Sequence, residues 1–316
     1  MSQNQMPPPG SAADQVLVEL LRESLEERRR ARRWGIVFRV FWVLIAAVAI
    51  GLVVSRGGAS VGPSGPHTAL VRIEGVIADD GEVSADSVAG ALRDAFDNPQ
   101  VKGIVLQIDS PGGSPVQSDL IHREIRRLRA LHKETPVHAV VGDLCASGGY
   151  YIAAAADQIH VNPSSVVGSI GVIMNGFGFT GSMERLGVER RVLTAGENKA
   201  FLDPFAPTKA DEVAHARKLL DDIHANFIDA VKQGRGERLK DNGKLFGGLM
   251  WTGTQAIELG LADAIGSAGS VAREVIKAEE VVDYTPAPPL AERLAKRFGA
   301  AAGSALAKTL GGLSLR

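Results

Sequence analysis

An α/β fold with a mainly parallel sheet, set behind an N-terminal transmembrane helix, is what this sequence predicts, and three observations predict it. From residue 69 onward, short apolar runs that read as buried strands alternate with amphipathic helical segments, the pattern of a layered sheet. Residues 34–54 are apolar apart from Arg39, and that is about the 20-residue length a bilayer crossing needs. Glycine pairs follow two of the strands, in Pro111-Gly112-Gly113 and in Ser147-Gly148-Gly149. Such pairs let one backbone approach another, or a ligand, closely.

Bulk properties narrow the function classes. At 316 residues the chain holds one large domain or two small ones, and its 45% apolar and 22% charged content are ordinary for a globular core. A formal net charge of −1 supplies no basic face, so no nucleic-acid partner is expected. The single cysteine, Cys145, excludes an intrachain disulfide. The seven histidines show no metal-ligand spacing, and neither a metal nor a cofactor is expected.

In chain order, residues 1–13 are rich in Pro, Gln and Ser and read as disordered. A helix is plausible from Asp14, with Leu17, Leu20, Leu21 and Leu25 on one face. It runs into Arg28, Arg29, Arg30, Arg32 and Arg33, just ahead of the apolar stretch. By the positive-inside rule the N-terminus is cytoplasmic and everything after Val54 faces outward. The region before the apolar stretch is too long for a cleavable signal peptide, so a retained anchor is expected. The division is thus a cytoplasmic segment 1–33, a transmembrane helix 34–54, a linker 55–68, a catalytic domain 69–285 and a tail 286–316.

Within the domain, 70–77 reads as a strand. A helix follows over 84–97, with Val88, Leu92 and Phe96 at helical spacing. A second strand, 103–109, ends in Ser110-Pro111-Gly112-Gly113-Ser114, and a helix over 118–131 turns Leu120, Ile121, Ile125 and Leu128 inward. The run 137–141 is a third strand; 152–156 reads as a helix and 158–161 as another strand. A long helix is expected from Ala210 to about Gln233, with Val213, Ala216, Leu219, Leu220, Ile223 and Phe227 apolar. Trp251-Thr252-Gly253 caps a short helix ended by Gly260, and 271–278 is a further helix.

Ser147 therefore sits at a strand-to-helix turn, where unpartnered N–H groups and the helix dipole favour negative charge. The same position suits an ordinary serine N-cap, and on this segment alone that is the simpler account. A serine nucleophile needs a base. His138 lies on the preceding strand and looks like a strand residue. Lys199, in Gly196-Glu197-Asn198-Lys199-Ala200-Phe201, is a second candidate. A lysine acts as a base only when neutral, which burial among apolar groups favours, and a surface lysine is the plainer reading of the residue alone. The amides of the Pro111-Gly112-Gly113 loop, with that of Gly148, can build an oxyanion hole, although such loops also bind phosphate or simply turn.

Taken in order, these segments resemble a family. Asp109-Ser110-Pro111-Gly112-Gly113, Ala146-Ser147-Gly148-Gly149-Tyr150-Tyr151 and Gly168-Ser169-Ile170-Gly171-Val172 are followed by Lys199 with Asp203-Pro204-Phe205. Trp251-Thr252-Gly253 and Gly260-Leu261-Ala262-Asp263 complete the set. The chain is similar, over roughly 69–278, to the single-domain form of signal peptide peptidase A, membrane-bound serine–lysine peptidases of bacteria. It departs from the family at Gly248-Leu249-Met250, where an arginine is usual before Trp-Thr-Gly. The resemblance implies the Clp-protease and crotonase fold of repeated ββα units. It implies Ser147 as nucleophile, Lys199 as general base with Ser169 hydrogen-bonded to it, and Gly113 and Gly148 as oxyanion donors beside Gly112. It implies apolar, released signal peptides as substrates, and a ring in which neighbouring protomers share each site. A crotonase-type acyl-transfer enzyme shares the fold, and a non-catalytic membrane scaffold shares the anchor. The outward domain without a nucleotide-binding basic cluster weighs against the first, and the presence of both Ser147 and Lys199 weighs against the second.

Overall fold

The computed structural model describes residues 32–46, 65–81, 83–240 and 243–286. Residues 32–46 are helical with exposed side chains. The rest of the expected 34–54 span lies outside the described residues. Among those described, no helix is long and apolar enough to cross a membrane. The expected cytoplasmic segment and C-terminal tail likewise fall almost wholly outside them.

The domain is a mixed α/β sheet in which β1 (His67–Ile77), β2 (Val101–Gly113) and β3 (Val137–Ala146) form the parallel centre. Helices α1 (Ala85–Asp97) and α2 (Pro115–Leu131) connect them in turn. The run Ile104, Val105, Leu106 and Ile108 is fully buried, as expected of a strand covered on both faces. The helix starts are written in serine: Ser84 and Ser114 accept the amides of Ser87 and Gln117, and Pro115 opens α2 where no amide is needed. One boundary differs from expectation. The sequence places the linker through residue 68, whereas His67 and Thr68 are fully buried and pair with β2 as the first residues of β1.

Strand β3 is shared between two arms of the sheet. Its first half, His138 to Val140, pairs with β4 (Gln158–Val161); its last residues, Leu144 to Ala146, pair with β5 (Val166–Gly168). An antiparallel strand, β6 (Met250–Thr252), extends the second arm. The short strands β7 (Ala264–Ile265) and β8 (Val281–Asp283) pair with β4 and β1. Between β3 and β4, α3 (Gly148–Ala153) starts four residues earlier than the sequence suggested. Two further helices follow, α4 (Thr180–Leu186) and the long α5 (Ala210–Arg235).

The glycine-bearing segment near the end of the domain is a lock. A Cβ at Gly260 (φ +74°) would stand 1.7 Å from the Arg238 carbonyl oxygen, so only glycine fits. Arg235, 1% exposed, reaches the Gly260 carbonyl and both oxygens of Asp263 at 2.8–2.9 Å, while Asp263 also accepts the Ile159 amide. Removing Arg235 takes two contacts from the partly buried Asp263 carboxylate and the donor from the Gly260 carbonyl, leaving Asp263 with Arg238 at 3.3 Å and the Ile159 amide. Arg235→Ala is expected to destabilise the domain by about 3–5 kcal/mol, measured by denaturant unfolding. A loss below about 1 kcal/mol would contradict this account.

Three buried histidines add an acid limit. Burial, aided by neighbouring arginines, pushes His122 down to about 4; burial and the facing His160 do the same to His138. His160 is lowered by burial too. These folded values lie below the unfolded value near 6.5, so between roughly pH 6.5 and 4 the unfolded chain binds more protons. Stability is therefore expected to fall as pH drops through that window. Thermal unfolding midpoints at pH 7, 5.5 and 4.5 test it, and a flat series refutes it.

Candidate active site

Ser147 occupies the junction of β3 and α3 with φ +50° and ψ −120°, a conformation that a side chain rarely adopts. It holds the N-cap position but makes no cap hydrogen bond, so its hydroxyl does not serve as an ordinary cap. Backbone bonds fix the strained residue on both sides: its amide donates to Gly168 at 2.8 Å, and its carbonyl accepts the Tyr151 amide at 2.9 Å. The turn thus lifts Oγ out of the strand at the head of a helix, a geometry that exposes a nucleophile.

The two glycine motifs meet here because nothing larger fits. A Cβ at Gly112 (φ +95°) would lie 2.6 Å from the Gly148 amide nitrogen and 2.8 Å from Ser147 Cβ. A Cβ at Gly148 would lie 2.4 Å from Ser118 Oγ and 3.3 Å from the Gly113 nitrogen. Gly113, Ser147 and Gly148 accordingly line one cleft of about 140 Å³. Its other walls are Pro115, Tyr151, Gly171, Val172, Ile173, Ile223 and Phe227. Gly112 behaves differently from Gly113: its amide donates to Ser110 Oγ at 3.1 Å, and its contribution is space.

The apolar wall was not anticipated from the sequence. Tyr151 stacks on Phe227 of α5 with ring centroids 4.9 Å apart, and its hydroxyl donates to Asp119. Its neighbour Tyr150 ties α3 to the Leu261 carbonyl at 2.8 Å. The signal was present in Tyr150-Tyr151 and in Phe227, but their convergence required the fold.

The remaining candidates fall elsewhere. His138 is the second residue of β3; it pairs with Val105, five residues before Ser110, the partner of Cys145, so it lies roughly 17 Å back along the sheet from the serine turn. It is buried against His160, with ring nitrogens 3.4 Å apart. Cys145 is fully buried, and burial pushes its thiol far above the usual range, which leaves it inert. Ser169 is half-buried at φ +50°, one residue beyond the carbonyl that holds Ser147.

Lys199 is exposed and does not line the Ser147 cleft. It belongs to a segment, 172–209, almost all of it exposed. Ile173, Phe177, Leu186 and Leu193 there are 77–101% exposed. Ion pairing of Arg190 with Asp203 at 3.0 Å and its guanidinium over Phe205 hold the Asp203-Pro204-Phe205 turn in place. Among the described residues, then, the chain gathers Ser147, Gly113 and Gly148, keeps Ser169 nearby, and leaves Lys199 outside.

Comparison with known proteins places the chain in a family. Residues 129–282 match the model of Peptidase family S49. A putative protease of Synechocystis is 32% identical over 199 residues, covering 63% of this chain and 69% of that one. A putative signal peptide peptidase of Enterococcus faecium is 29% identical over 232 residues, covering 71% and 67%. A Brucella melitensis protein named Na(+)/H(+) antiporter NhaA is 48% identical over 210 residues, but the chain spans only 28% of its length. With the strained serine turn inside the matched region and these relatives at its side, the chain belongs to peptidase family S49, the signal peptide peptidase A family.

Proposed function

We propose that the protein is a membrane-anchored serine endopeptidase that degrades released signal peptides and other apolar peptides at the outer face of the bacterial cytoplasmic membrane. The observation that carries the reading is the uncapped, strained Ser147 in a cleft with the amides of Gly113 and Gly148. Ser147 Oγ attacks the peptide carbonyl, and the oxygen's developing charge is met by those two amides, each donor being worth about 2.7–4 kcal/mol where measured. Lys199 takes the serine proton and returns it to the departing amine; water then releases the acyl group by the reverse steps.

Lys199 reaches Ser147 from a neighbouring protomer. Its exposed position and the uncovered apolar side chains of 172–209 support a ring in which each site is built by two chains. Leu219 and Ile223, on the expected apolar stripe of α5, also remain 41% and 36% exposed, as a helix awaiting a partner would leave them. Docking would desolvate the lysine, which favours its neutral form. A fluorophosphonate probe tests the core of the reading. Wild type should be labelled at Ser147 and Ser147→Ala should not; an unlabelled wild type rejects it.

A further inference from the structure

Strand β2 breaks register with both of its neighbours at one point. Toward β1, Glu74 pairs with Asp109 but Val76 pairs with Gly112, so Ser110 and Pro111 stand against Gly75 alone. Toward β3, Ile108 pairs with Val141 and Ser110 with Cys145, so residues 142–144 stand against Asp109 alone. Two bulges therefore coincide immediately before the oxyanion loop on one strand and the serine turn on the other. Bulges of this kind re-aim the backbone that follows them.

Each bulge is pinned by a side chain at its apex. Asp109 Oδ1 accepts the Leu144 amide at 3.0 Å, holding the β3 bulge. Ser110 is fully buried, and its hydroxyl does two things at once. It donates to the Gly75 carbonyl at 2.6 Å and accepts the Gly112 amide at 3.1 Å. Gly75 itself has φ +90°, so the hydroxyl ties a left-handed turn of β1 to the left-handed Gly112. The Gly112 N–H is consumed by this bond, and the next amide along, that of Gly113, lies against Gly148 at the cleft.

We propose that Ser110 is a positioning residue for the oxyanion loop: its buried hydroxyl bridges Gly75 and Gly112 and thereby aims the Gly113 amide at the reacting carbonyl oxygen. Ser110 touches neither substrate nor Ser147 Oγ in this role. The inference rests on the serine-peptidase reading above. It assigns to the serine of Asp109-Ser110-Pro111-Gly112-Gly113 a function distinct from that of its glycines.

A misaimed oxyanion donor weakens transition-state binding while leaving ground-state binding alone. The experiment uses the full 316-residue chain, a fluorogenic apolar peptide and a peptide boronic acid whose tetrahedral adduct mimics the transition state. Ser110→Ala should lower kcat about 10- to 100-fold, less than deleting a donor outright, with KM unchanged. Boronate affinity should weaken by the same factor. Ser110→Cys, which keeps a weaker donor and acceptor, should fall between the two, and it carries the comparison if the alanine variant does not fold. A kcat within threefold of wild type in the folded variants overturns the proposal. So does a kcat loss with unchanged boronate affinity, or one carried wholly in KM. Fluorophosphonate labelling of wild type separates the levels: no label at Ser147 defeats the peptidase reading itself, whereas labelling with an indifferent Ser110 defeats this inference alone.

Discussion

Ser147→Ala is expected to reduce cleavage of an apolar peptide by at least about 10⁴-fold while leaving the fold intact, since removing a serine nucleophile elsewhere costs around 10⁶-fold. The hydroxyl is the only group the substitution deletes. It makes no cap hydrogen bond with α3, so nothing in the helix start depends on it. Residual activity should come only from binding and the amides of Gly113 and Gly148. The measurement is kcat/KM alongside a thermal unfolding curve. A variant that keeps a tenth of wild-type activity would remove Ser147 from the chemistry, whatever its strained backbone suggests.

Lys199→Ala should be nearly as severe, because a nucleophile and its base act as one unit and their losses do not add. The informative experiment mixes the two inactive proteins. If the serine and lysine of one site come from different protomers, a Lys199→Ala chain supplies a good serine and a Ser147→Ala chain a good lysine. Random co-assembly in a ring then restores about a quarter of the sites, the chance that the right pair of neighbours meets. If one chain holds both groups, the mixture stays inactive. Recovery rejects a self-contained site, and its failure despite mixed assembly rejects the shared one. A Lys199→Ala protein that is active alone removes the lysine from the mechanism. His138 would not replace it, being buried on β3 far from the cleft.

The sequence was most legible where one backbone must touch another or where a strand is buried whole. The runs through Ile104 and Val140 needed no partner to be recognised, and Gly112, Gly113 and Gly148 announced a close approach that the structure realises between β2 and α3. Strands β6, β7 and β8 were not legible, since two or three residues carry no periodicity. Neither were the bulges beside Asp109 and Ser110, which exist only relative to the strands they face. The same holds for the wall made by Tyr151 and Phe227, 76 residues apart by their numbers, whose stacking depends on where α5 lies. Lys199 marks the furthest limit: its motif could be read, but within one chain it is exposed and stands outside the Ser147 cleft.

The forked strand β3 sets the serine mechanically in series with the exposed segment. Ser147 hangs by its amide from the Gly168 carbonyl, at the end of β5. Ser169 and Ile170, directly after, are clamped to Leu249 and Gly248, and by residue 172 the chain has left the sheet for the long arm that carries Lys199. A load applied to that arm by a neighbouring molecule meets the clamps at Ile170 and Ser169 first, and Gly168, the hook from which Ser147 hangs, stands directly behind them.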